Sequence, residues 1–146
     1  MVRVLFVCLG NSCRSPMAEA IARRNAADVI EASSAGLEPL GFVANMTRCI
    51  LANNGYPTEE LESKPILRES WDKADVVINM SGRSRQQAFR EHGKVEDWVV
   101  EDPYGGDTHV YQRIFEEIAS RVETLAERLR RGSREMGAQV TERKKD

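Results

Sequence analysis

The residues that could do chemistry crowd into one stretch, Cys8-Leu9-Gly10-Asn11-Ser12-Cys13-Arg14-Ser15, with Pro16 after it. Cys8 offers a sulfur nucleophile. Arg14 offers a planar, permanently charged fork that can grip two oxygens of a phosphoryl group. A loop that ends at a helix start aims successive backbone N–H groups at one point, and the helix dipole adds positive potential there. Such a cradle suits a tetrahedral oxyanion. A cysteine at its first position is drawn toward the thiolate, the form that attacks. Ser15 can accept a helix N–H as an N-cap while its own proton points back at the Cys8 sulfur. Pro16 then falls at the first helical position, where its missing N–H costs nothing. Leu9, Gly10, Asn11, Ser12, Cys13 and Ser15 form the predicted phosphate-binding loop, with Asn11 tolerating a left-handed backbone.

The elements around this stretch must hold it open. Val2 to Val7 is almost continuously apolar, as in a strand covered on both faces of a parallel sheet. Pro16 to about Ala27 reads as a helix, and Val29 to Ser34 as a second strand, completing a right-handed βαβ unit. Ala35 to Val43 is a loop. Ala44 to Asn54 reads as a helix ended by Gly55, with Met46, Cys49 and Ile50 on its inner face, so Cys49 reads as a packed small hydrophobe. Leu67 to Ala74 is a short helix, Asp75 to Met80 a strand, Ser84 to His92 a helix and Trp98 to Val100 a last strand. Thr108 to about Arg131 is the longest helix, with Tyr111, Ile114, Phe115, Ile118, Val122, Leu125 and Leu129 as its apolar stripe. The alternation predicts one three-layer α/β/α domain over residues 1–131. A charged, flexible tail is expected over residues 132–146.

Ligands in such sheets sit beyond the carboxyl ends of strands. Cys8 lies at one such end and Asp102 at another. Phosphoryl transfer to a thiolate needs a proton for the leaving oxygen, and the Cys8 loop supplies no acid. Asp102, fixed by Pro103, is the best donor. Asp107 is a weaker one and reads as a residue of the helix N-cap region.

Composition narrows the rest. The chain has 146 residues, enough for one real core. Lys and Arg number 21 and Asp and Glu 23, so no basic face awaits a nucleic acid. Three cysteines and no signal peptide fit a reducing cytoplasm. No apolar run approaches the roughly 20 residues of a membrane span. His92 and His109 read as surface residues, and no metal or organic cofactor is required.

The spacing C-x5-R-[ST] is the signature of the cysteine phosphatases. The fuller string, Val4-Leu5-Phe6-Val7-Cys8 through Pro16-Met17-Ala18-Glu19, closely resembles the low-molecular-weight protein-tyrosine-phosphatase family. The resemblance implies a central four-stranded parallel sheet in the flavodoxin-like order 2-1-3-4. It also implies a mechanism. Cys8 attacks phosphorus, Asp102 protonates the leaving group, and a phosphocysteine forms that water resolves with Asp102 as base. Arg14 and the loop N–H groups hold the phosphoryl, Ser15 stabilises the departing sulfur, and Ser34 braces Asn11. The family's cysteine at the position of Cys13 pairs reversibly with the nucleophile and guards it from overoxidation.

The implied partner is a phosphorylated protein, with inorganic phosphate or another oxyanion able to occupy the loop. Phosphotyrosine is the family default, with Tyr104 stacking on the ring and Leu40 and Phe42 forming the opposite wall. Ser12 stands where tyrosine-directed members commonly carry a bulky aliphatic residue, and Met80-Ser81 departs from their frequent Met-Asp pair. Ser12, with Asp102-Pro103-Tyr104-Gly105-Gly106 and Tyr111 after it, resembles the bacterial branch that acts on phosphoarginine. Thioredoxin-coupled arsenate reductases share the loop, but they relay a disulfide through two cysteines that the segment Ser81 to Gly93 lacks. A noncatalytic phosphate-binding module would leave Cys8 and Asp102 together unexplained. A nucleotide-binding Walker loop is excluded, because no Gly-Lys-Ser/Thr follows.

Overall fold

The central strand β1 (Val2–Cys8) pairs in parallel on both sides, with β2 (Ile30–Gly36) and β3 (Val76–Asn79). β4 (Val95–Asp97) adds to β3, giving the order β2-β1-β3-β4 that the resemblance implied. The computed structural model describes residues 1–145, with side chains for residues 1–134. Alternation along β1 feeds two cores. Val4, Phe6 and Cys8 face α1 (Arg14–Asn25), α2 (Asn45–Asn53) and α5 (Thr108–Lys145), and pack with Met17, Ile21, Ile50, Ile114, Ile118 and Val122. Leu5 and Val7 face the opposite side, where Val77, Phe89 and Val95 meet side chains of α3 (Arg68–Lys73) and α4 (Arg85–Ala88). The sheet is thus covered on both faces, which is why β1 reads as an unbroken apolar run.

Several expected boundaries move. The last strand is Val95–Asp97, not Trp98 to Val100. Trp98 and Val100 are buried and Val99 is exposed, so the segment alternates like a strand. That alternation records burial, with the Trp98 ring 6.0 Å from Phe6, while the ladder on β3 has already run from Val95 to Asp97. The helix expected over Ser84 to His92 is a single turn, because Phe89 turns to extended angles and stacks on Trp71. Cys49 is exposed, not packed: the inner face of α2 is Thr47, Ile50 and Leu51. Thr47 is polar and escapes a hydrophobicity pattern, but its hydroxyl donates to the Ser12 carbonyl at 2.9 Å. α5 does not stop near Arg131. It continues through Gly132 to Lys145, so the tail is helical as far as it is described. One glycine costs a helix only about 1 kcal/mol, and most residues after it are good helix formers. Residue 146 lies outside the described residues. Among the described residues no helix is long and apolar enough to cross a membrane.

One close approach couples the fold to the Cys8 loop. A Cβ on Gly36, at the end of β2, would stand 2.9 Å from both the Leu9 carbonyl oxygen and the Asn11 Cβ. Both neighbours are fixed parts of the loop, so neither can yield cheaply. Gly36→Ala is expected to destabilise the protein by ~1–3 kcal/mol. A urea titration of the variant beside the wild type measures this.

Candidate active site

The Cys8 loop joins β1 to α1, as expected, but the helix starts two residues early. α1 begins at Arg14, Cys13 holds the N-cap position without a side-chain bond, and Ser15 caps nothing. The Ser15 hydroxyl is committed elsewhere. It lies 2.9 Å from the Cys8 sulfur, and the Ser15 N–H reaches the same sulfur at 3.5 Å. Pro16 still sits in the first turn, where no intrahelical N–H bond is lost. Asn11 takes the left-handed backbone predicted for it, with φ 47°. Among the described residues, the backbone N–H groups of Leu9 to Cys13 are given to no protein acceptor, which leaves them free for an oxyanion.

Around the loop runs a buried polar scaffold. The Asn11 amide donates to Ser15 Oγ at 2.8 Å and to Ser34 Oγ at 3.0 Å, while its oxygen accepts from the Lys64 N–H at 2.9 Å. Ser34 donates to Glu19 at 2.5 Å. The other side of the loop is held by α2. The Ala44 N–H donates to Ser12 Oγ at 3.0 Å, and Thr47 holds the Ser12 carbonyl.

Arg14 is almost fully buried. One Nη donates to the Val100 carbonyl at 3.2 Å, the other lies 3.5 Å from the Asp102 carboxylate, and Nε has no partner. A buried, unpaired guanidinium nitrogen is costly unless something completes it. Asp102 is half-exposed, and its other oxygen accepts from the Tyr104 N–H at 3.1 Å. Cys8, Leu9, Gly10, Ser12, Cys13, Arg14, Leu40, Asp102 and Tyr104 all line one cleft of about 330 Å³. Asn11, Ser15 and Ser34 stand behind it as supports. Phe42 is exposed on the same loop as Leu40 but does not line the cleft, so the predicted wall is Leu40 alone. Asp107 caps α5 by accepting from the Val110 N–H at 3.0 Å.

Three further residues, Glu38, Glu19 and Thr47, matter and were not singled out as site residues by sequence reasoning, and Tyr111, named there in the apolar stripe and in the phosphoarginine resemblance, makes a contact that neither gave. Glu38 lines the cleft and pairs with Arg83 at 3.2 Å. Glu19 is buried behind the loop. Tyr111 was read as core, yet its hydroxyl lies 3.4 Å from the Cys13 sulfur. Thr47 holds Ser12. Burial pushes the Cys13 thiol up from its ordinary value, against the bonds from Thr47 and Tyr111 that lower it, and burial raises Tyr111 likewise. Among the described residues no group of three His, Cys, Asp or Glu is placed to hold a metal ion. His92 and His109 are exposed.

A free thiol, a cradle of unpaired amides and a buried guanidinium beside a carboxylate form an oxyanion site with a nucleophile in it. The family model for low molecular weight phosphotyrosine protein phosphatase matches residues 3–135. The chain belongs to this family. Its relatives divide by activity. An arsenate reductase of Bacillus cereus is 34% identical over 126 residues, which is 85% of this chain and 93% of that one. The protein-arginine-phosphatase of Bacillus subtilis is 30% identical over 150 residues, covering 90% and 99%. The solved low molecular weight protein tyrosine phosphatase of T. tengcongensis superposes with a TM-score of 0.80 at 31% identity, covering 88% and 100%.

The raised Cys13 pKa has a direct consequence. Its thiol stays neutral at mildly alkaline pH, and it is buried. In Cys8→Ser at pH 8, iodoacetamide is expected to modify exposed Cys49 at least roughly tenfold faster than Cys13. Peptide mass spectrometry over time reads both rates.

Proposed function

We propose that this chain is a cysteine-dependent phosphatase that hydrolyses phosphorylated protein side chains through a phosphocysteine. The observation that carries this reading is the buried, unpaired Nε of Arg14, a residue that lines the same cleft as Cys8. Nε and the neighbouring Nη form the fork that two equatorial phosphoryl oxygens fill, while the loop amides take the third. Cys8 attacks phosphorus as the bond to the leaving group breaks, and Asp102 gives that group its proton. Water then attacks the phosphocysteine with Asp102 as base, and the Ser15 hydroxyl receives the charge returning to sulfur. Cys13 serves as the resolving thiol if peroxide converts Cys8 to a sulfenic acid. The protein works in a reducing cytoplasm.

Phosphotyrosine is the proposed substrate. Tyr104 and Leu40 present exposed apolar faces on the cleft, suited to a phenyl ring. A second reading, phosphoarginine, is favoured by Glu38 and Ser12. A phosphorylated guanidinium carries positive charge beside its phosphoryl group, and Glu38 brings a carboxylate to the same cleft. Ser12 adds a hydroxyl that accepts hydrogen bonds. Arsenate reduction by an internal disulfide relay is the weaker fit. The segment 81–93 carries no cysteine, and Cys49 lies exposed on α2.

Asp102→Asn is expected to slow hydrolysis of aryl phosphates by roughly 10²–10⁴. The loss should shrink as the leaving group becomes more acidic, because such groups need less protonation. A uniform loss across a series of substituted phenyl phosphates would remove Asp102 from the acid role.

Ser12→Ile separates the two substrates. It removes an acceptor and adds bulk, so kcat/KM on phosphoarginine peptides should fall while that on phosphotyrosine peptides holds or rises. Specificity is a difference of two barriers, so both constants are needed in both proteins. No wild-type activity on phosphoarginine would end the second reading. An unchanged ratio in Ser12→Ile would move the selection to Glu38 and Leu40.

A further inference from the structure

Behind the Cys8 loop runs an unbroken line of polar contacts that ends on the far side of α1. Arg23 Nη1 lies 3.0 Å from one Glu19 oxygen, and the other Glu19 oxygen accepts from Ser34 at 2.5 Å. Ser34 accepts from Asn11 at 3.0 Å, Asn11 donates to Ser15 at 2.8 Å, and Ser15 meets the Cys8 sulfur at 2.9 Å. Glu19 is 1% exposed, whereas the Arg23 side chain is 42% exposed. Arg23 is therefore the one member of the line at the surface.

We infer that Arg23 is a positioning residue for the nucleophile: it holds Glu19 in place, Glu19 takes the Ser34 proton, and Ser34 is then left to accept from Asn11, the residue that braces Ser15. An ionised carboxylate only accepts, so the Ser34 proton is committed to Glu19. The Ser34 oxygen can then only accept, and it takes an N–H of Asn11. The Asn11 amide cannot turn over, because its oxygen is held by the Lys64 N–H. The second Asn11 N–H occupies a lone pair of Ser15 Oγ. What remains to Ser15 is its own proton, and the nearest acceptor is the Cys8 sulfur, with the Ala35 carbonyl further off at 3.4 Å. The Arg23–Glu19 pair on α1 thus anchors the far end of the line that holds Ser15 against the Cys8 sulfur.

Loss of the cation reverses the logic. A buried carboxylate without its partner takes up a proton more readily. A neutral Glu19 can donate to Ser34, whose proton then has no acceptor among Asn11's N–H groups. Ser34 then no longer anchors Asn11, Asn11 holds Ser15 less firmly, and the Ser15 proton can turn to Ala35. The charged groups on the two ends are few. Glu19 faces Arg23 from its own helix, and Glu60 reaches Arg23 at 3.4 Å from the segment packed over it. Cys8 shares its cleft with Arg14, Asp102, Glu38 and the Cys13 thiol.

The inference rests on Cys8 being the nucleophile of the proposed reaction, but its test does not need turnover. Cys8 alkylation by iodoacetamide is followed by mass spectrometry across pH in wild type, Arg23→Met, Arg23→Lys, Glu19→Gln and the double variant, beside p-nitrophenyl phosphate hydrolysis. Arg23→Met should move the alkylation profile to higher pH and lower kcat/KM roughly tenfold. Arg23→Lys should restore most of both, since it keeps the charge. Glu60→Gln, which leaves the Arg23–Glu19 pair intact, should match wild type. Glu19→Gln should reproduce Arg23→Met, and the double variant should add nothing further. An unmoved alkylation profile in folded Arg23→Met overturns the inference. So do additive losses in the double variant, which is read even if one single variant is poorly stable. Absent phosphatase activity with the alkylation shift intact overturns the proposed reaction and leaves the positioning role standing.

Discussion

Backbone amides that converge on one point cannot satisfy one another. The loop from Leu9 to Cys13 keeps its N–H groups unpaired in a largely buried place, and that state is unfavourable without an oxyanion. Neighbouring structure must therefore hold the loop by its other atoms. Its carbonyls and side chains do this. The Leu37, Glu38 and Leu40 N–H groups donate to the Cys8, Leu9 and Gly10 carbonyls at 3.1, 2.8 and 3.0 Å. Thr47 takes the Ser12 carbonyl, and Ser63 takes that of Gly10 at 3.0 Å. Every one of these donors reaches in from outside the loop. The β2–α2 connection, which looks like a mere link in the chain, is the outer shell of the cradle.

The same constraint explains why the site's polar residues are buried rather than displayed. Asn11, Ser12, Arg14, Ser15, Glu19 and Ser34 are all buried. Each has its hydrogen bonds met by a named neighbour, apart from Arg14 Nε. One left-handed backbone and one absent side chain were needed to build this packing. Asn11 adopts a positive φ, and Gly36 admits the loop at a distance no side chain allows.

Legibility in the sequence followed the range of each interaction. Cys8, Arg14 and Ser15 are fixed to one another by a single turn of chain, so their spacing alone carried the chemistry. Asp102 was legible as a residue of the same cleft, because an Asp-Pro pair follows the last strand in a turn-rich loop. β1 was legible because both of its faces are covered. Glu19 was not: four residues before Arg23 on a helix, it has the pattern of an ordinary surface ion pair. Only the fold shows that its side chain turns under the loop toward Ser34. Glu38 lies in an irregular connection with no periodicity to read, and Thr47, on the inner face of α2, is polar and escapes a hydrophobic pattern. Trp98 to Val100 misled because alternation reports burial, and burial does not require a ladder.

Arg14 ties the two halves of the chemistry together through competition. Its guanidinium lies 3.5 Å from Asp102 and bonds the Val100 carbonyl, so the segment after β4 that carries Asp102 is moored to the cradle. A phosphoryl group entering the loop offers the same guanidinium two strong acceptors in place of one distant carboxylate oxygen. Asp102 is half-exposed and held on its other oxygen only by the Tyr104 N–H, so it can move aside at low cost. Under the proposed reaction, a phosphoryl group in the loop would fill the unpaired Arg14 nitrogen and draw the guanidinium off the carboxylate, so that one residue couples occupancy of the cradle to the freedom of Asp102.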